Sequence, residues 1–273
     1  QLPDPLNEQR LSPVPGLIHR YPDRAVLLVA YQCATYCRFC MRKRQIGCFG
    51  GVTNIAAAID YLTATPQVRD LVLSGGDPLM LADEQLHELL TRLRRIPHLD
   101  IIRIGSRMPV TDPARITPQL CRMLAEHHPL YLNTHFNHPR ELTVEAAHAC
   151  GLLAAAGVVL GNQTVLLRGV NDEFPVLKEL FSGLLRLRVR PYYLHQMDLV
   201  QGTAHFRTPL DQGRQLVGAL RGQVSGMAIP HFAVDLPGGH GKVSLHPDAV
   251  RQDEQGWLIR TPDGGWMRYH DPA

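Results

Sequence analysis

Three cysteines, Cys33, Cys37 and Cys40, have the spacing in this sequence that most clearly predicts chemistry. They follow the apolar run from Ala25 to Ala30, within the segment Cys33-Ala-Thr-Tyr-Cys37-Arg-Phe-Cys40. The CxxxCxxC spacing allows one short loop to direct three thiolates at a single centre. Three thiolates on an iron–sulfur cubane leave one iron with an open coordination position. The predicted site is therefore a 4Fe–4S cluster with one iron free to bind another molecule.

A structural zinc site is the alternative interpretation of these cysteines. Zinc usually takes four ligands, and Cys48 could supply the fourth. Cys48 is separated from Cys40 by the basic run 42–44, which is unlike the paired spacing of common zinc sites. Cys121 and Cys150 lie alone in helical patterns, so a disulfide framework is not indicated. The cluster is the preferred interpretation.

A cysteine loop of this kind after a first strand resembles the radical S-adenosylmethionine superfamily, in which an aromatic residue often precedes the last cysteine, as Phe39 does here. The resemblance implies that the open iron binds the amino and carboxylate groups of S-adenosylmethionine. An electron from the cluster would then split the sulfonium to give a carbon radical. A second motif resembles the superfamily's glycine-rich turn, whose bare backbone can approach the methionine end of the cosubstrate. A plain strand-to-helix turn is the alternative for this motif, which consists of Ser74, Gly75, Gly76 and Asp77.

The elements that must position these residues follow a regular alternation from Ala25 onward. Short apolar runs alternate with amphipathic stretches, which is typical of strand-helix units around a parallel sheet. The six strand candidates are Ala25–Ala30, Asp70–Leu73, Ile101–Ile104, Leu130–Asn133, Val158–Val165 and Arg190–Leu194. The helix candidates are Asn54–Ala64, Asp83–Arg95, Pro118–His127, Val144–Ala156, Glu173–Leu185 and Leu210–Arg221. The predicted fold is α/β, a partial (β/α)6 TIM-like barrel of the radical S-adenosylmethionine type, with an open doubly wound sheet as the alternative.

Composition and segment boundaries complete this prediction. The chain of 273 residues is 45% hydrophobic and 19% charged, which indicates a globular protein with one sizeable core. We expect a lead-in over 1–24, the barrel over 25–235 and a C-terminal extension over 236–273 that ends in a hairpin from Gly256 to Tyr269. The net charge is +3, and the basic residues are spread along the chain, so a nucleic-acid-binding surface is not indicated. No apolar run reaches the ~20 residues that a membrane helix needs. A cytoplasmic protein acting on a small molecule is expected.

Lys242 ends the glycine-rich segment Pro237-Gly-Gly-His-Gly-Lys242, where its amine could reach an aldehyde and form a Schiff base. A flexible surface loop is the alternative. The surrounding sequence is similar to the lysine 2,3-aminomutase family over nearly the whole chain. The likeness runs through the cysteine loop and residues 13–24, 104–107, 132–138, 161–163, 166–172 and 206–208. This breadth is more specific than any single motif.

The resemblance assigns two groups of cofactor-binding residues. Lys242 corresponds to the lysine that holds pyridoxal 5'-phosphate. Three residues fall in the stretch that binds this cofactor and its phosphate, for which guanidinium groups are well shaped: Arg20, Tyr21 and Arg24. His135 and Gln163 resemble positions near the adenosyl group. A core histidine satisfied by backbone atoms is the alternative for His135.

The resemblance also assigns the residues that bind the substrate. Arg42 matches the arginine that pairs with the substrate carboxylate, and a solvated member of a charge run is the alternative. Asp198 and Asp235 match the two carboxylates that receive the distal ammonium of lysine, because two anions can hold one buried cation. Either aspartate alone could be a cap or a surface turn residue. A glutamate-specific branch is expected to lack this acidic pair, so L-lysine is the preferred substrate.

The predicted function is therefore 1,2-amino migration between L-lysine and β-lysine, with a flavodoxin- or ferredoxin-type electron donor. The alternatives are an aminomutase for ornithine or arginine, the branch that modifies a lysine of elongation factor P, and a metal-binding remnant without catalysis. Known members are longer at both ends and carry a C-terminal zinc cluster at a subunit contact, whereas no cysteine follows Cys150 here. The resemblance is compatible with a homo-oligomer, although association through such a zinc cluster is not expected from this sequence. His195 and His240 stand where other residues were expected.

Overall fold

The computed structural model describes residues 1–47, 53–245, 250–253, 256–261 and 265–269. Its strands are β1 Leu17–Tyr21, β2 Arg24–Ala30, β3 Asp70–Gly75, β4 Ile101–Gly105, β5 Leu130–Thr134, β6 Val159–Leu166, β7 Arg190–Gln196, β8 His231–Leu236, β9 Gly241–Ser244, β10 Val250–Asp253, β11 Gly256–Arg260 and β12 Trp266–Tyr269. Its α-helices are α1 Ile55–Thr63, α2 Asp83–Arg94, α3 Met108–Thr111, α4 Pro118–Ala125, α5 Val144–Ala155, α6 Phe174–Arg186 and α7 Leu210–Leu220. Short 3-10 helices cover Pro78–Met80, Pro113–Arg115, Pro139–Glu141, Ala204–Phe206, Gly226–Ala228 and Pro237–Gly239.

The main sheet contains nine strands that lie in chain order from β1 to β9. Strands β2 to β8 run parallel to their neighbours, and β1 and β9 pair antiparallel at the two edges. The predicted mixed α/β partial barrel is confirmed, with β8 as a seventh parallel strand beyond the six predicted. All six predicted helices are present, each within a few residues of its expected bounds.

Leucine-rich strands and capped helices explain this architecture. Leu71 and Leu73 of β3 are fully buried, as expected for parallel strands covered by helices on the outside. Two of the helices begin at a threonine whose side chain accepts the third helical N–H: Thr117 from Leu120 N and Thr143 from Ala146 N. Because β2 to β8 run parallel to one another, the loops after these strands gather at one end of the barrel.

The N-terminal lead-in contacts two segments that follow strands of this sheet. Leu2 pairs with Val200, just beyond β7, and its N–H donates to Leu199 O over 2.9 Å. Gly238 N, in the turn between β8 and β9, donates to Pro5 O over 2.8 Å. The lead-in therefore connects the exit of β7 to the turn that precedes β9.

The C-terminal part of the chain contributes to two sheets. Strand β9 extends the main sheet, whereas β10, β11 and β12 form a separate antiparallel sheet that includes the predicted hairpin. The proposed boundaries at 24 and 235 remain predictions. Across the described residues, no helix is both long enough and apolar enough to cross a membrane.

Candidate active site

The cysteine loop leaves the end of β2, and its three predicted ligands are all half-buried. Cys40 N donates to Cys37 O over 3.0 Å, and Arg107 Nη1 donates to Cys37 Sγ over 2.8 Å. Burial, with smaller effects from Asp77 and the other two thiols, raises the pKa of Cys33 to about 12. The three sulfurs thus lie near enough to influence one another. Cys48 lies outside the described residues, within which no three metal-ligating side chains surround one common point.

The glycine-rich turn after β3 packs directly on the start of the cysteine loop. Gly76 N donates to Ala30 O over 2.5 Å, and Asp77 N donates to Gln32 O over 2.8 Å. A Cβ atom at Gly75 would overlap Ala30 O, and one at Gly76 would overlap Gln32 O. Glycine is therefore needed at both positions, because the two carbonyls belong to the backbone and cannot rotate away as a side chain could. This contact fixes the cysteine loop relative to the barrel.

Gly76→Ala is expected to destabilise the protein by about 1–3 kcal/mol, because the added methyl meets backbone that cannot rotate away. Thermal unfolding of the purified protein measures this change. Gly151→Ala is the matched control, since nothing lies within 4 Å of a Cβ there and helix α5 should gain about 0.5–1 kcal/mol. Equal melting temperatures for the Gly76 variant and the unmodified chain would contradict the close packing.

Asp77 is buried and joins the glycine turn to the next loop of the barrel. Its Oδ1 accepts from Leu79 N over 3.0 Å, and its Oδ2 accepts from Arg107 N over 2.8 Å. Burial raises the pKa of the Asp77 carboxyl, while these N–H donors oppose that change. The side chain thus caps a 3-10 helix and holds the backbone of Arg107.

Arg107, His135 and Phe39 form a stack beside the cysteine loop. The guanidinium of Arg107 lies 5.6 Å from the Phe39 ring centre, and its Nη2 pairs with Glu141 Oε1 at 2.6 Å. The rings of Phe39 and His135 stack with centroids 5.6 Å apart. Burial and the positive charge of Arg107 lower the pKa of His135 to about 3, so the imidazole is neutral. Its Nε2 is buried and finds no hydrogen-bond partner among the described residues.

Gln163 lies beside this stack in the sheet. It is half-buried in β6, one position after Asn162, and His135 lies one position after Thr134 in β5. Because Thr134 is the register partner of Asn162, His135 and Gln163 lie at the same level of adjacent strands. His135 lies just beyond the end of β5, whereas Gln163 lies within β6, three residues before its end at Leu166.

Arg42, predicted to bind a substrate carboxylate, is paired in the structure with Glu8 of the lead-in. Its Nη2 and Nε donate to Glu8 Oε1 over 2.8 and 3.1 Å. Its Nη1 donates to Ser74 Oγ over 2.9 Å. Burial alone would lower the pKa of Arg42, but the Glu8 carboxylate, with smaller contributions from Cys40 and Asp198, raises it. Arg42 therefore lies within electrostatic reach of both the cysteine loop and Asp198.

Lys242 lies in strand β9, not in a loose loop. The antiparallel register places it directly opposite Asp235 of β8, and its Nζ forms an ion pair with Asp235 Oδ2. His195 Nδ1 is 3.1 Å from the same Nζ, and the Tyr193 ring centre is 5.1 Å away. Burial and the neighbouring Lys242 charge hold the pKa of His195 well below its usual value, so His195 accepts a hydrogen bond from the lysine.

The glycines before Lys242 have a definite structural role. Gly238, Gly239 and Gly241 have φ angles of 75°, 88° and 96°, a region that favours glycine over all other residues. They allow the chain to reverse tightly between β8 and β9. This reversal sets the register that brings the lysine amine to Asp235.

Two of the three residues predicted to bind pyridoxal 5'-phosphate, Arg20 and Tyr21 of β1, lie beside Lys242 and Asp235. Lys242 N donates to Tyr21 Oη over 2.7 Å, and Arg20 Nη1 lies 4.0 Å from Asp235 Oδ1. Arg20 Nε is buried without a hydrogen-bond partner in the part of the chain that the structure describes. Arg24 is more exposed, and its contacts are with Asp23 and the Tyr21 ring, not with the lysine.

Asp198 follows β7 and is the second predicted substrate acid. Burial, assisted by the negative charges of Asp235 and Glu8, raises its pKa to about 7, whereas Lys242 and Arg42 act in the opposite direction. The two predicted acids, Asp198 and Asp235, therefore lie within electrostatic range of each other and of Lys242. At neutral pH Asp198 is poised between its charged and neutral forms.

Three residues with clear contacts in this region were missed as site residues: Glu8, Arg107 and His195. Arg107 and His195 each follow or end a predicted strand, and this position was the available signal. Glu8 gave no such signal, since it lies in the lead-in, 34 residues before its partner.

Two solved structures share this fold. SuiB of Streptococcus suis, bound to S-adenosylmethionine, matches with a TM-score of 0.57 at 12% identity, covering 79% of this chain and 51% of that chain. A radical S-adenosylmethionine methyltransferase from Sphaerobacter thermophilus matches with a TM-score of 0.53 at 17% identity, covering 80% and 68%. At such identities the likeness concerns the fold alone, and the fold is the partial barrel of radical S-adenosylmethionine enzymes.

Sequence relatives are much closer. A family model described as lysine-2,3-aminomutase matches residues 217–273. The chain is 52% identical to L-lysine 2,3-aminomutase of Fusobacterium nucleatum (98% of this chain, 64% of that protein) and 42% identical to that of Escherichia coli (89% and 71%). It is 44% identical to glutamate 2,3-aminomutase of Clostridioides difficile (98% and 64%). The chain thus spans 64–71% of the length of these relatives. It belongs to the lysine 2,3-aminomutase family.

Proposed function

We propose that this chain is the core of a radical S-adenosylmethionine aminomutase that uses pyridoxal 5'-phosphate to interconvert L-lysine and β-lysine. The observation that carries the proposal is the ion pair of Lys242 with Asp235, with Asp198 and Arg42 in electrostatic range. This arrangement offers an amine for a cofactor aldehyde, two acids for an ammonium and a guanidinium for a carboxylate. A free diamino acid has the matching groups.

The cysteine end of the barrel is the proposed site of a 4Fe–4S cluster and S-adenosylmethionine. Cys33, Cys37 and Cys40 would hold the cluster, which supplies the electron that cleaves the cosubstrate. The unpartnered Nε2 of buried His135 supports a bound group here, because an isolated buried polar atom is costly. Ser74, Gly75, Gly76 and Asp77 would face the methionine end of the cosubstrate, and Gln163 the adenosyl end.

The lysine end fits pyridoxal 5'-phosphate. Lys242 would hold the cofactor covalently, while Arg20 and Tyr21 of β1 and Arg24 at the start of β2 would bind its phosphate. The buried, unpartnered Nε of Arg20 supports this role, since a phosphate oxygen would satisfy it. When bound, this cofactor delocalises an unpaired electron on an adjacent carbon. His195, whose Nδ1 lies 3.1 Å from the amine, can accept a hydrogen bond from Lys242 and so orient the amine toward an aldehyde.

L-Lysine suits this site better than glutamate. Asp198 and Asp235 would bind the distal ammonium, while Arg42 would bind the α-carboxylate. A distal carboxylate in place of the ammonium would face two acids, and like charges in a buried site are strongly unfavourable. Glutamate is the comparison substrate for any assay, because one relative is named glutamate 2,3-aminomutase.

Binding of L-lysine is expected to strengthen as the pH rises through about 7, where burial and the neighbouring Asp235 place the pKa of Asp198. Below that pH the carboxyl is protonated and attracts the ammonium less. Equilibrium dialysis in the absence of reductant measures the affinity across this range. Asp198→Asn should weaken binding at high pH and flatten the profile, whereas exposed Asp211→Asn should not change it. An unchanged profile in Asp198→Asn would contradict the assignment.

Anaerobic reconstitution with iron, sulfide, pyridoxal 5'-phosphate and S-adenosylmethionine tests the proposed function as a whole. With a chemical reductant, L-lysine should give β-lysine and support formation of deoxyadenosine. Ornithine, arginine and glutamate serve as competing substrates in parallel assays. Turnover of glutamate but not L-lysine would overturn the substrate assignment, and zinc in place of the cluster in oxygen-protected protein would overturn the chemistry.

The enzyme is also expected to need an electron-donor protein. Cluster reduction requires an electron donor, for which a flavodoxin or ferredoxin type is proposed. Assembly as a homo-oligomer and a cytoplasmic location complete the proposal, and both come from the family resemblance.

A further inference from the structure

Glu8 is the charged side chain of the lead-in that the chain buries most deeply. Its exposed fraction is 4%, and carboxylates are almost never buried to this degree unless they are paired. Its partner is Arg42, whose Nη2 and Nε donate to it over 2.8 and 3.1 Å. Arg44 Nη2 lies 3.6 Å from the other carboxylate oxygen. The pair is therefore a built contact and not a chance meeting of surface charges.

The way Glu8 binds Arg42 leaves part of the guanidinium available. Glu8 takes the side edge of the planar fork, formed by Nε and Nη2, while Ser74 Oγ accepts one N–H of Nη1. These contacts use one N–H on each terminal nitrogen and leave a second N–H on each. A carboxylate can bind two parallel N–H groups on one edge of a guanidinium. Besides its contacts with Glu8 and Ser74, Arg42 therefore has one further N–H on each terminal nitrogen to offer to a second anion.

The lead-in holds Glu8 in place from several sides. Arg44 Nη2 pairs with Asp4 at 3.1 Å, and Arg20 Nη2 donates to Leu6 O over 3.1 Å. The same segment pairs with Val200 after β7 and contacts the turn before β9. Glu8 therefore ties Arg42 to a segment that is itself anchored near Asp198 and Lys242.

We propose that Glu8 is a positioning residue that fixes the guanidinium of Arg42, so that its end edge meets the carboxylate of the amino acid substrate. The inference rests on the proposed function, in which Arg42 binds this carboxylate. Without Glu8 the guanidinium would lose the contact that sets its plane, although Ser74 would still hold one nitrogen. Affinity for the carboxylate would fall, and affinity for the distal ammonium would not.

The test compares L-lysine with 1,5-diaminopentane, which has both amines but no carboxylate. Equilibrium dialysis of the reconstituted protein without reductant measures binding with no turnover. The dialysis is carried out well above the pKa of Asp198, which is about 7, so that loss of the Glu8 charge does not alter the ionisation of Asp198. Glu8→Gln is expected to weaken L-lysine binding about tenfold, as for a lost hydrogen bond to a charged group, and to change diaminopentane binding by less than about twofold. Glu84→Gln removes an exposed carboxylate from α2 and is the matched control. Equal losses for both ligands, or none for L-lysine, would overturn the role of Glu8.

A double-mutant cycle with Arg42→Gln separates this inference from the proposed function. If Glu8 acts through Arg42, Glu8→Gln should weaken L-lysine binding no further in the Arg42→Gln background. A further tenfold loss there would overturn the inference. If Arg42→Gln alone leaves the preference for L-lysine over diaminopentane intact, the carboxylate assignment itself is wrong.

A second variant keeps the test decisive if Glu8→Gln does not fold. Glu8→Asp retains the charge and shortens the side chain by one methylene, so the buried pair is not left with a lone cation. L-Lysine binding should weaken more than diaminopentane binding in this variant too. An equal effect on both ligands would overturn the inference, and thermal unfolding identifies which variant is folded.

Discussion

Replacing Lys242 with alanine is expected to abolish covalent retention of pyridoxal 5'-phosphate and to reduce turnover by roughly three orders of magnitude or more. The physical reason is that no other amine in the sequence is placed to serve. Lys43 is exposed on the cysteine loop, and Lys178 lies on α6, 5.7 Å from the Phe174 ring centre. These are the other lysines of the chain. Absorption of the dialysed protein reports cofactor retention.

Lys178→Ala is the matched control, because it removes an ammonium that is not among the contacts of Asp235 and His195. Borohydride reduction followed by peptide mapping should place the cofactor on Lys242 alone. Cofactor fixed to Lys43 or Lys178 in the unmodified protein would dismiss the assignment. Retention of full cofactor absorption in Lys242→Ala would do the same.

Cys40→Ala is expected to have the second largest effect, loss of the cluster and of all cleavage of S-adenosylmethionine. Three thiolates bind three of the four irons of the cubane, so removing one thiolate leaves a second iron without a protein ligand. Iron content, visible absorption and deoxyadenosine formation after anaerobic reconstitution measure the loss. We expect deoxyadenosine below detection.

Cys121→Ala and Cys150→Ala provide the controls for this experiment. Both thiols are buried in helices of the core, and burial raises the pKa of each, so both behave as small apolar side chains. Each control should cost about 1 kcal/mol of stability and keep the cluster. Full iron content in Cys40→Ala would contradict the predicted ligand set.

The barrel and the cysteine loop could be predicted from sequence because their signals are local. A strand such as β3 is an apolar run of a few residues, and the CxxxCxxC spacing favours an iron–sulfur cluster over zinc within one short loop. Strand β9 was harder to predict, because Pro237 to Lys242 is rich in glycine and has no apolar alternation. Only its pairing with β8 makes it a strand.

Pairings across long stretches of chain could not be predicted. The contact between Glu8 and Arg42 joins residues 34 apart, and that between Arg107 and Cys37 joins residues 70 apart. Each side chain was visible in the sequence, but nothing near it indicated its partner. Such contacts depend on how the barrel brings its loops together, which composition and periodicity do not report.

The pairing of Asp235 with Lys242 makes the length of the intervening turn a functional quantity. Successive side chains of a strand point to opposite faces, so adding or deleting one residue between 236 and 241 would turn the lysine amine to the far side of β9. Such a variant would retain every residue type of the site and still lack an amine beside the acid. Related sequences with altered spacing at this hairpin should therefore be read as having lost, or relocated, their cofactor lysine.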